Sequence, residues 1–368
     1  MENYSEIKLL HYMERAQKGG ELTVGFLGGS ITQGSLASSD TTSYAYLVYR
    51  WWCDTFPEAY IHYVNGGIGG TTSHFGVSRA VEDVLMYQPD VVFVDFSVND
   101  EPEEFFQETF EGLVRKLLGW GSNPAVVVLN NVYYDTGKNA QMYHNAIAEH
   151  YGVPYVSMLD TVYRRMKVGE YTREELTPDG LHPNDKGHVL VAAELIRYLE
   201  QVKQKLDREG LDGVLERKSE KESTLPTPLT ENAYQNAGLF SIRNCCPVLN
   251  GFRADTREKK GHLDFFKNGW IGKKEGDRIS FEVECSCIAV QYRKTIQKPS
   301  PVARLVLDGN REHAITLDGN FEENWGDCLY LETVLHHGVW KKHSVEIEIV
   351  QAHVEDKVPF YLLSLIVA

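Results

Sequence analysis

The first half of the chain alternates short apolar runs with segments of helical periodicity, and this rhythm constrains the fold more than any other feature. Five runs are nearly continuous in apolar residues, which is typical of strands covered on both faces. They are LTVGFLG (22–28), YIHYVNG (60–66), DVVFVDFS (90–97), AVVVLNN (125–131) and PYVSM (154–158). Helix-like segments lie between them, and a long one follows from Asn184. The pattern predicts a parallel sheet between two layers of helices, with a site at the carboxyl ends of the strands.

The second half has a different periodicity. From about Lys203 the chain becomes highly charged and then rich in proline, as expected of a linker. Beyond it come short alternating strands and turn signals such as Asp308-Gly309 and Asp318-Gly319, which predict hairpin-like turns in a β-sandwich. The predicted organisation is an α/β domain over 1–205, a linker over 206–230 and a β-sandwich over 231–368.

Composition excludes several classes of function. The net charge of −15 over 368 residues argues against a nucleic-acid or anionic-membrane surface, because phosphates would be repelled. The segment 1–20 carries charges throughout and lacks the apolar core of a secretory signal, and no run approaches the ~18 apolar residues of a membrane span. A cytoplasmic location is therefore expected. The six cysteines lack the spacing of a zinc site, and we expect neither a metal nor a cofactor.

The stretch GFLGGSITQG (25–34) surrounds Ser30 with glycines at the end of the first predicted strand. It lacks the lysine of a phosphate loop and the spacing of a dinucleotide-binding fingerprint. Thr32 stands where a nucleophile elbow of the α/β-hydrolase type would need a glycine. A serine in such a turn is most often a turn residue or a helix cap, so the role of Ser30 depends on its companions at later strand ends.

Three later segments supply suitable companions. His182, when neutral, can accept the proton of Ser30, and Asp179 lies three residues earlier, where a turn can bring its carboxylate onto the other ring nitrogen. The backbone N–H groups of Ser30 and Gly70 and the amide of Asn99 are candidate donors to an oxyanion. Together they predict a serine-hydrolase site. The segments are NGGIGGTTS (65–73), SVND (97–100) and DGLHPND (179–185).

The stretch around Ser30 and these three segments, in this order and at strand ends, resemble the blocks of the SGNH (GDSL-type) hydrolase superfamily over about residues 20–205. The family's serine, glycine, asparagine, aspartate and histidine fall on Ser30, Gly70, Asn99, Asp179 and His182. Two departures, GGS for GDS and Ser97 for the glycine of GxND, leave those residues in place. The resemblance implies a flavodoxin-like three-layer α/β/α sandwich and an esterase that forms an acyl-enzyme on Ser30.

The β-rich half adds a looser resemblance. The stretches 266–284, 306–309 and 338–349 resemble a galactose-binding-like jelly roll, the fold of many carbohydrate-binding modules. An SGNH domain followed by such a module resembles the two-domain acetylmannan esterases of carbohydrate-esterase family seventeen. That likeness implies removal of O-acetyl groups from manno-oligosaccharides. Trp325 is then the first candidate to stack on the sugar, and Trp270 is the second.

Two alternatives stay open on the sequence alone. One is an SGNH esterase or lipase for other small acyl or lipid esters, with a purely structural β-domain. The other is a non-enzymatic sugar-binding protein, against which the intact Ser30, Asp179 and His182 argue. The expected partner is an acetylated oligosaccharide, with no nucleic acid and no membrane, while a homo-oligomer is left open.

Overall fold

A computed structural model describes residues 4–215 and 225–368 of the chain. The chain separates into two compact units, Met1–Gln235 and Asn236–Ala368. The first is an α/β unit, and the second is built from strands. Among the described residues, no helix has the length and apolarity that crossing a bilayer requires.

The first unit is organised around a five-stranded sheet in which every neighbouring pair is parallel. Its order is second, first, third, fourth, fifth strand, the arrangement of flavodoxin-like folds. Each predicted strand overlaps one of the observed strands, and the third and fourth are buried at every position because helices cover both faces. The strands are β1 Glu21–Gly28, β2 Tyr60–Gly67, β3 Val91–Asp95, β4 Ala125–Asn130 and β5 Tyr155–Ser157.

Helices form the two outer layers of this unit. They are α1 Tyr4–Gln17, α2 Ser30–Gln33, α3 Tyr44–Thr55, α4 Ser73–Asp83, α5 Glu104–Leu118, α6 Gln141–His150, α7 Arg164–Lys167, α8 Arg173–Leu176 and α9 Asp185–Leu215. Met13 of α1, Trp52 of α3 and Leu195 of α9 share one core with Phe26 and Phe93 of the sheet. Helices α4, α5 and α6 pack against one another and against β1 and β4 on the other face. The α/β/α sandwich expected from the sequence is confirmed.

The predicted linker over 206–230 is only partly a linker. Helix α9 continues to Leu215, interrupted at Gly210, whose φ of 67° and ψ of 164° lie outside the helical region. Residues 216–224 of the predicted linker lie outside the described residues. The helix extends further than expected because charged residues occupy its exposed positions while Leu206 is buried.

The end of the predicted linker belongs to the first unit. Glu111 of α5 accepts hydrogen bonds from the backbone N–H groups of Leu229 (2.7 Å) and Thr230 (2.8 Å), and also from the Thr230 hydroxyl. Burial alone would raise the pKa of Glu111, but these hydrogen bonds and one from Tyr151 lower it. The segment is thus anchored by a charged acceptor, and the first unit reaches Gln235 rather than ending near 205.

The second unit consists of two antiparallel sheets that enclose one apolar core, so the predicted β-sandwich is confirmed. In chain order the strands are β6 Gly238–Phe240, β7 Val248–Asn250, β8 Arg253–Ala254, β9 Trp270–Gly272, β10 Arg278–Cys285, β11 Ile288–Lys294, β12 Val302–Leu307, β13 Ile315–Asp318, β14 Cys328–Leu335, β15 Lys341–Gln351 and β16 Phe360–Val367. One sheet has the order β13-β12-β15-β10-β7. The other has the order β14-β11-β16-β9-β8, with β6 beside β16. Alternate residues of β10 are buried, as the period of two requires.

The two Asp-Gly pairs play different parts. Asp308 and Gly309, with φ of 51° and 73°, lie in the connection between the paired strands β12 and β13. The second pair, Asp318-Gly319, stands at the end of β13, the edge strand of its sheet, and the next strand, β14, belongs to the opposite sheet. Only the first pair therefore closes a hairpin.

Trp270 is a core residue of the sandwich. Its side chain is 2% exposed, and its ring packs edge-on against Phe281 with centroids 5.3 Å apart. The turn before it leads directly into β9, whose three residues are all buried. No ring face is open to a sugar, so the expectation that Trp270 binds substrate is wrong.

Candidate active site

The strand order brings three loops to one edge of the sheet. Because β1 lies between β2 and β3, the register places Gly28 beside both Gly67 and Asp95 at the carboxyl ends. Ser30 begins α2 directly after β1, while the segments that contain Gly70 and Asn99 follow β2 and β3. Residues that are far apart in sequence are therefore neighbours at one edge, as the βαβ rhythm predicts.

Ser30, His182 and Asp179 form a continuous hydrogen-bonded chain. The Nε2 atom of His182 lies 2.8 Å from Ser30 Oγ, and its Nδ1 atom lies 2.7 Å from Asp179 Oδ2. A carboxylate can only accept from Nδ1–H, which leaves Nε2 as the acceptor for the serine hydroxyl. This geometry can transfer a proton from the hydroxyl to the imidazole, which is what a serine nucleophile requires.

The loop before α9 folds around the Asp179 carboxylate. Its Oδ1 atom accepts from the backbone N–H groups of Leu181 (3.0 Å) and His182 (2.8 Å) and from the Thr177 hydroxyl (3.1 Å). Partial burial alone would raise the pKa of Asp179, but the hydrogen bonds from the His182 ring and these N–H groups lower it to about 2. The group is therefore a carboxylate at neutral pH, fixed in position to orient the imidazole.

Gly70 and Asn99 flank Ser30 with free donors. A Cβ atom on Gly29 would overlap the Asn99 side chain, so the close approach of Asn99 to this turn requires glycine. A Cβ atom on Gly69 would lie 3.5 Å from that of Ser30, which places the loop after β2 beside the serine. Neither the Gly70 N–H nor the Asn99 side-chain amide donates to another described residue. Both remain available to a ligand.

Arg79, which sequence reasoning missed, joins two of these loops. Its guanidinium is 1% exposed and donates to the main-chain oxygens of Gly28 (2.8 Å) and Gly66 (2.5 Å). It also pairs with Asp83 one helical turn later (2.6 Å). Burial lowers the pKa of Arg79, and the neighbouring Asp83 opposes that shift. The sequence shows an arginine in an apolar helix but carries no signal for its distant partners.

Asp95 lies buried beneath the nucleophile turn. Its Oδ2 atom accepts from Asn131 Nδ2 at 2.7 Å and from the Thr32 hydroxyl at 3.3 Å. Thr32 in turn lies 2.7 Å from the hydroxyl of buried Tyr44. Burial raises the pKa of Asp95 to about 7, against the opposing effect of the hydrogen bonds from Asn131 and Thr32. The position of Asp95 in an apolar strand implied a partner, and the structure identifies Asn131 and Thr32.

A second histidine–aspartate pair lies near Asn99. His144 Nε2 is 3.0 Å from Asp100 Oδ2, and the ring stacks on Phe110 with centroids 3.7 Å apart. The other Asp100 oxygen accepts from the N–H of Ser73 at the start of α4. Both members are buried, and Asp100 is occupied in capping that helix, so this pair is a structural contact.

Trp325 occupies the connection between β13 and β14. Its side chain is 57% exposed, in contrast to buried Trp270. The indole N–H donates to the Glu323 carboxylate, and the ring packs edge-on against Phe321 at 5.1 Å. The ring is thus held in place while much of it remains accessible, as stacking on a sugar would require.

Comparisons with known proteins find relatives of this chain. Residues 26–190 match the model of the GDSL-like Lipase/Acylhydrolase family. Two solved structures of a two-domain esterase active on acetylated mannans, one of them co-crystallized with mannopentaose, are 47% identical to this chain. Each comparison covers 98% of this chain and 94% of the other, with a TM-score of 0.92. An arylesterase of Vibrio mimicus is 23% identical over 189 residues, which is 45% of this chain and 88% of the arylesterase.

The buried Asp95 should make stability depend on pH. Its pKa of about 7 exceeds that of an unfolded aspartate, about 4, so the folded chain holds a proton that the unfolded chain has released. The contribution of Asp95 to stability should therefore fall as the pH rises between these values, by up to about 4 kcal/mol. Asp95→Asn removes that contribution. The free energy of unfolding of the variant, measured with urea, should therefore rise relative to that of the wild type as the pH increases from about 4 to about 7.

Thr32→Val is the matched control. It removes one hydrogen bond but keeps the carboxyl group. Because that hydrogen bond lowers the pKa of Asp95, the unfolding free energy of Thr32→Val should fall with pH at least as much as that of the wild type, even if the variant is less stable throughout. Parallel slopes for Asp95→Asn and the wild type would contradict the protonated, buried state of Asp95.

Proposed function

The chain belongs to the GDSL-like lipase/acylhydrolase family, and from that premise we propose that it is a serine esterase that removes O-acetyl groups from acetylated manno-oligosaccharides. One observation carries the proposal: the Ser30–His182–Asp179 chain of hydrogen bonds, at 2.8 and 2.7 Å. The substrate class is supported by the 47% identity, along nearly the whole chain, to an esterase active on acetylated mannans.

In the acylation step, Ser30 Oγ attacks the acetyl carbonyl carbon while His182 Nε2 accepts the hydroxyl proton. The carbonyl oxygen becomes an oxyanion, and the N–H groups of Ser30 and Gly70 and the amide of Asn99 donate hydrogen bonds to it. Each such donor is typically worth about 2.7–4 kcal/mol in the transition state. When the intermediate collapses, the bond from the acyl carbon to the sugar oxygen breaks, and His182 donates its proton to that oxygen.

In the deacylation step, the roles repeat with water. His182 takes a proton from a water molecule, the resulting hydroxide attacks acetyl-Ser30, and the same donors bind the second oxyanion. Collapse breaks the bond to Ser30 Oγ, returns the proton to the serine and releases acetate. Asp179 remains a carboxylate throughout, since its low pKa keeps it ionised while it orients and stabilises the imidazolium.

Trp325 is the proposed sugar contact in the second unit. Stacking of an indole on the apolar face of a pyranose needs an accessible ring whose orientation is already restricted. The exposure of Trp325, together with its contacts to Glu323 and Phe321, meets both conditions.

A general acyl esterase is the second candidate. The similarity to an arylesterase of Vibrio mimicus over 88% of that protein favours it. Such an esterase would use the same chemistry at Ser30, but it would hydrolyse acetylated sugars no faster than simple acyl esters. The two candidates therefore differ in substrate preference and not in mechanism.

Ser30→Ala should abolish hydrolysis while leaving the protein folded. Loss of the nucleophile is expected to lower kcat by ~10³-fold or more, because the three groups act as a unit. The measurement is acetate release from acetylated mannan, xylan and chitin oligosaccharides and from an aryl acetate. Ser35→Ala, which removes a nearby hydroxyl outside the hydrogen-bonded chain, should keep the wild-type rate.

Near-wild-type turnover by folded Ser30→Ala would reject the serine mechanism. If the wild type released acetate from the aryl ester but from none of the oligosaccharides, the mechanism would stand and the general esterase would replace the mannan esterase.

Trp325→Ala should weaken hydrolysis of acetylated manno-oligosaccharides selectively. Stacking and burial of one aromatic ring are worth about 1–3 kcal/mol, which corresponds to a roughly 5- to 150-fold loss in kcat/KM. A small aryl acetate gains nothing from that ring, so its kcat/KM should be unchanged. The quantity to measure is the ratio of the two specificity constants.

Trp340 provides the control, since it is also an exposed tryptophan of the second unit, at 62% exposure. Trp340→Ala should leave the ratio at its wild-type value. An unchanged ratio in Trp325→Ala, or an equal fall in both variants, would contradict a specific role for Trp325.

A further inference from the structure

The second unit contains an open cleft of about 520 Å³ with an unusual lining for so acidic a chain. Four cationic side chains and one carboxylate contribute to its wall, together with the ring of Tyr361. The charged residues are Arg253, Arg257, Lys273, Arg293 and Asp255. The volume is that of a typical small-molecule site, and all of its lining residues belong to the β-sandwich unit.

The single carboxylate of the cleft is already neutralised. Arg257 donates to Asp255 through both Nε (2.8 Å) and Nη2 (2.6 Å), and the Tyr361 hydroxyl donates to the same carboxylate at 2.8 Å. These hydrogen bonds, that from Arg257 above all, lower the pKa of Asp255 to about 2. Asp255 thus balances Arg257 and leaves no charge for the other three cations.

Those three cations lack a close counter-ion. Arg253 and Lys273 are exposed and form no ion pair with any described residue. The guanidinium of Arg293 donates to the Pro359 carbonyl oxygen at 2.8 Å, and the carboxylate with which it forms an ion pair, Asp327, is 4.0 Å away. Among the described residues, the cleft therefore concentrates three positive charges, of which two form no ion pair and the third has only the long one to Asp327.

Arg293 is the most costly of the three to leave unpaired. Its side chain is only 11% exposed and lies over the rings of Phe266 and Tyr361. Burial lowers its pKa against the opposing effects of Asp327 and Tyr361, and the charge of nearby Arg257 acts in the same direction as burial. Keeping a largely buried guanidinium beside a like charge is costly, and a bound anion would offset that cost.

We propose that this cleft binds a phosphate group, either as the free ion or as a phosphate monoester. Guanidinium groups match the geometry of phosphate oxygens, and lysine adds a compact positive charge. Phosphate carries between one and two negative charges at neutral pH, and so compensates three cations better than a single carboxylate would. Room beyond the ion itself favours a small phosphorylated ligand such as a sugar phosphate.

The test is calorimetric titration of the full chain at constant ionic strength with inorganic phosphate, a hexose phosphate, a hexuronate and acetate. Saturable binding of the phosphates at one site is expected, with weaker binding of both carboxylates. Arg253→Ala/Lys273→Ala should weaken phosphate binding by at least about tenfold, the loss expected for a charge-assisted hydrogen bond. Its melting temperature without ligand should match that of the wild type, because neither side chain has a protein ion pair to lose.

Lys274→Ala/Arg311→Ala removes the same number of charges from exposed positions outside the cleft and should keep the wild-type affinity. Tighter binding of the hexose phosphate identifies a monoester as the ligand, and equal binding identifies the free ion. The proposal is overturned if the wild type binds no phosphate, if both double variants lose binding equally, or if the carboxylates bind as tightly as phosphate.

Discussion

The guanidinium of Arg79 lies beneath the carboxyl ends of β1 and β2, and its hydrogen bonds to Gly28 and Gly66 fix where the two adjoining loops begin. A buried cation is tolerated when hydrogen bonds replace its water, and here main-chain oxygens and Asp83 do so for the two terminal nitrogens. The loop after β1 presents Ser30 and the loop after β2 presents Gly70. One buried side chain therefore couples the position of the nucleophile to that of a donor for the oxyanion.

Two carboxyl groups near Ser30 differ because their surroundings differ. Asp179 sits in a turn whose N–H groups point at it, so its negative charge is stabilised and can orient His182. Asp95 lies among apolar residues with two side-chain donors, and burial dominates. The pKa values of the two groups are pushed in opposite directions, about 2 against about 7. Such a separation suits a fixed negative charge beside the histidine and a partly protonated, structural hydrogen-bond partner below the nucleophile turn.

Sequence reasoning recovers features set by local pattern. The strands follow from apolar runs, and the places of Ser30, Gly70 and Asn99 follow from the strand ends of a parallel sheet, while Asp179 and His182 lie in the loop before α9. Helix α1 was not predicted because charges are dispersed along it, although Leu9 and Met13 bury its inner face. The main-chain partners of Arg79 and the side-chain partners of Asp95 could not be predicted, since those hydrogen bonds join residues 13 to 63 positions apart. Trp325 and Trp270 both follow turns, and only the position of β9 within the sandwich separates the exposed ring from the buried one.

The central claim is that Ser30 carries the acetyl group during turnover. The most direct measurement is rapid acid quenching of the enzyme with an activated acetyl ester, followed by peptide mapping by mass spectrometry. An acetyl group on the peptide that contains Ser30, formed within the first turnover and lost again at the rate of acetate release, is the predicted result. Full hydrolysis with no acetylated Ser30 peptide, under conditions in which deacylation limits the rate, would contradict it.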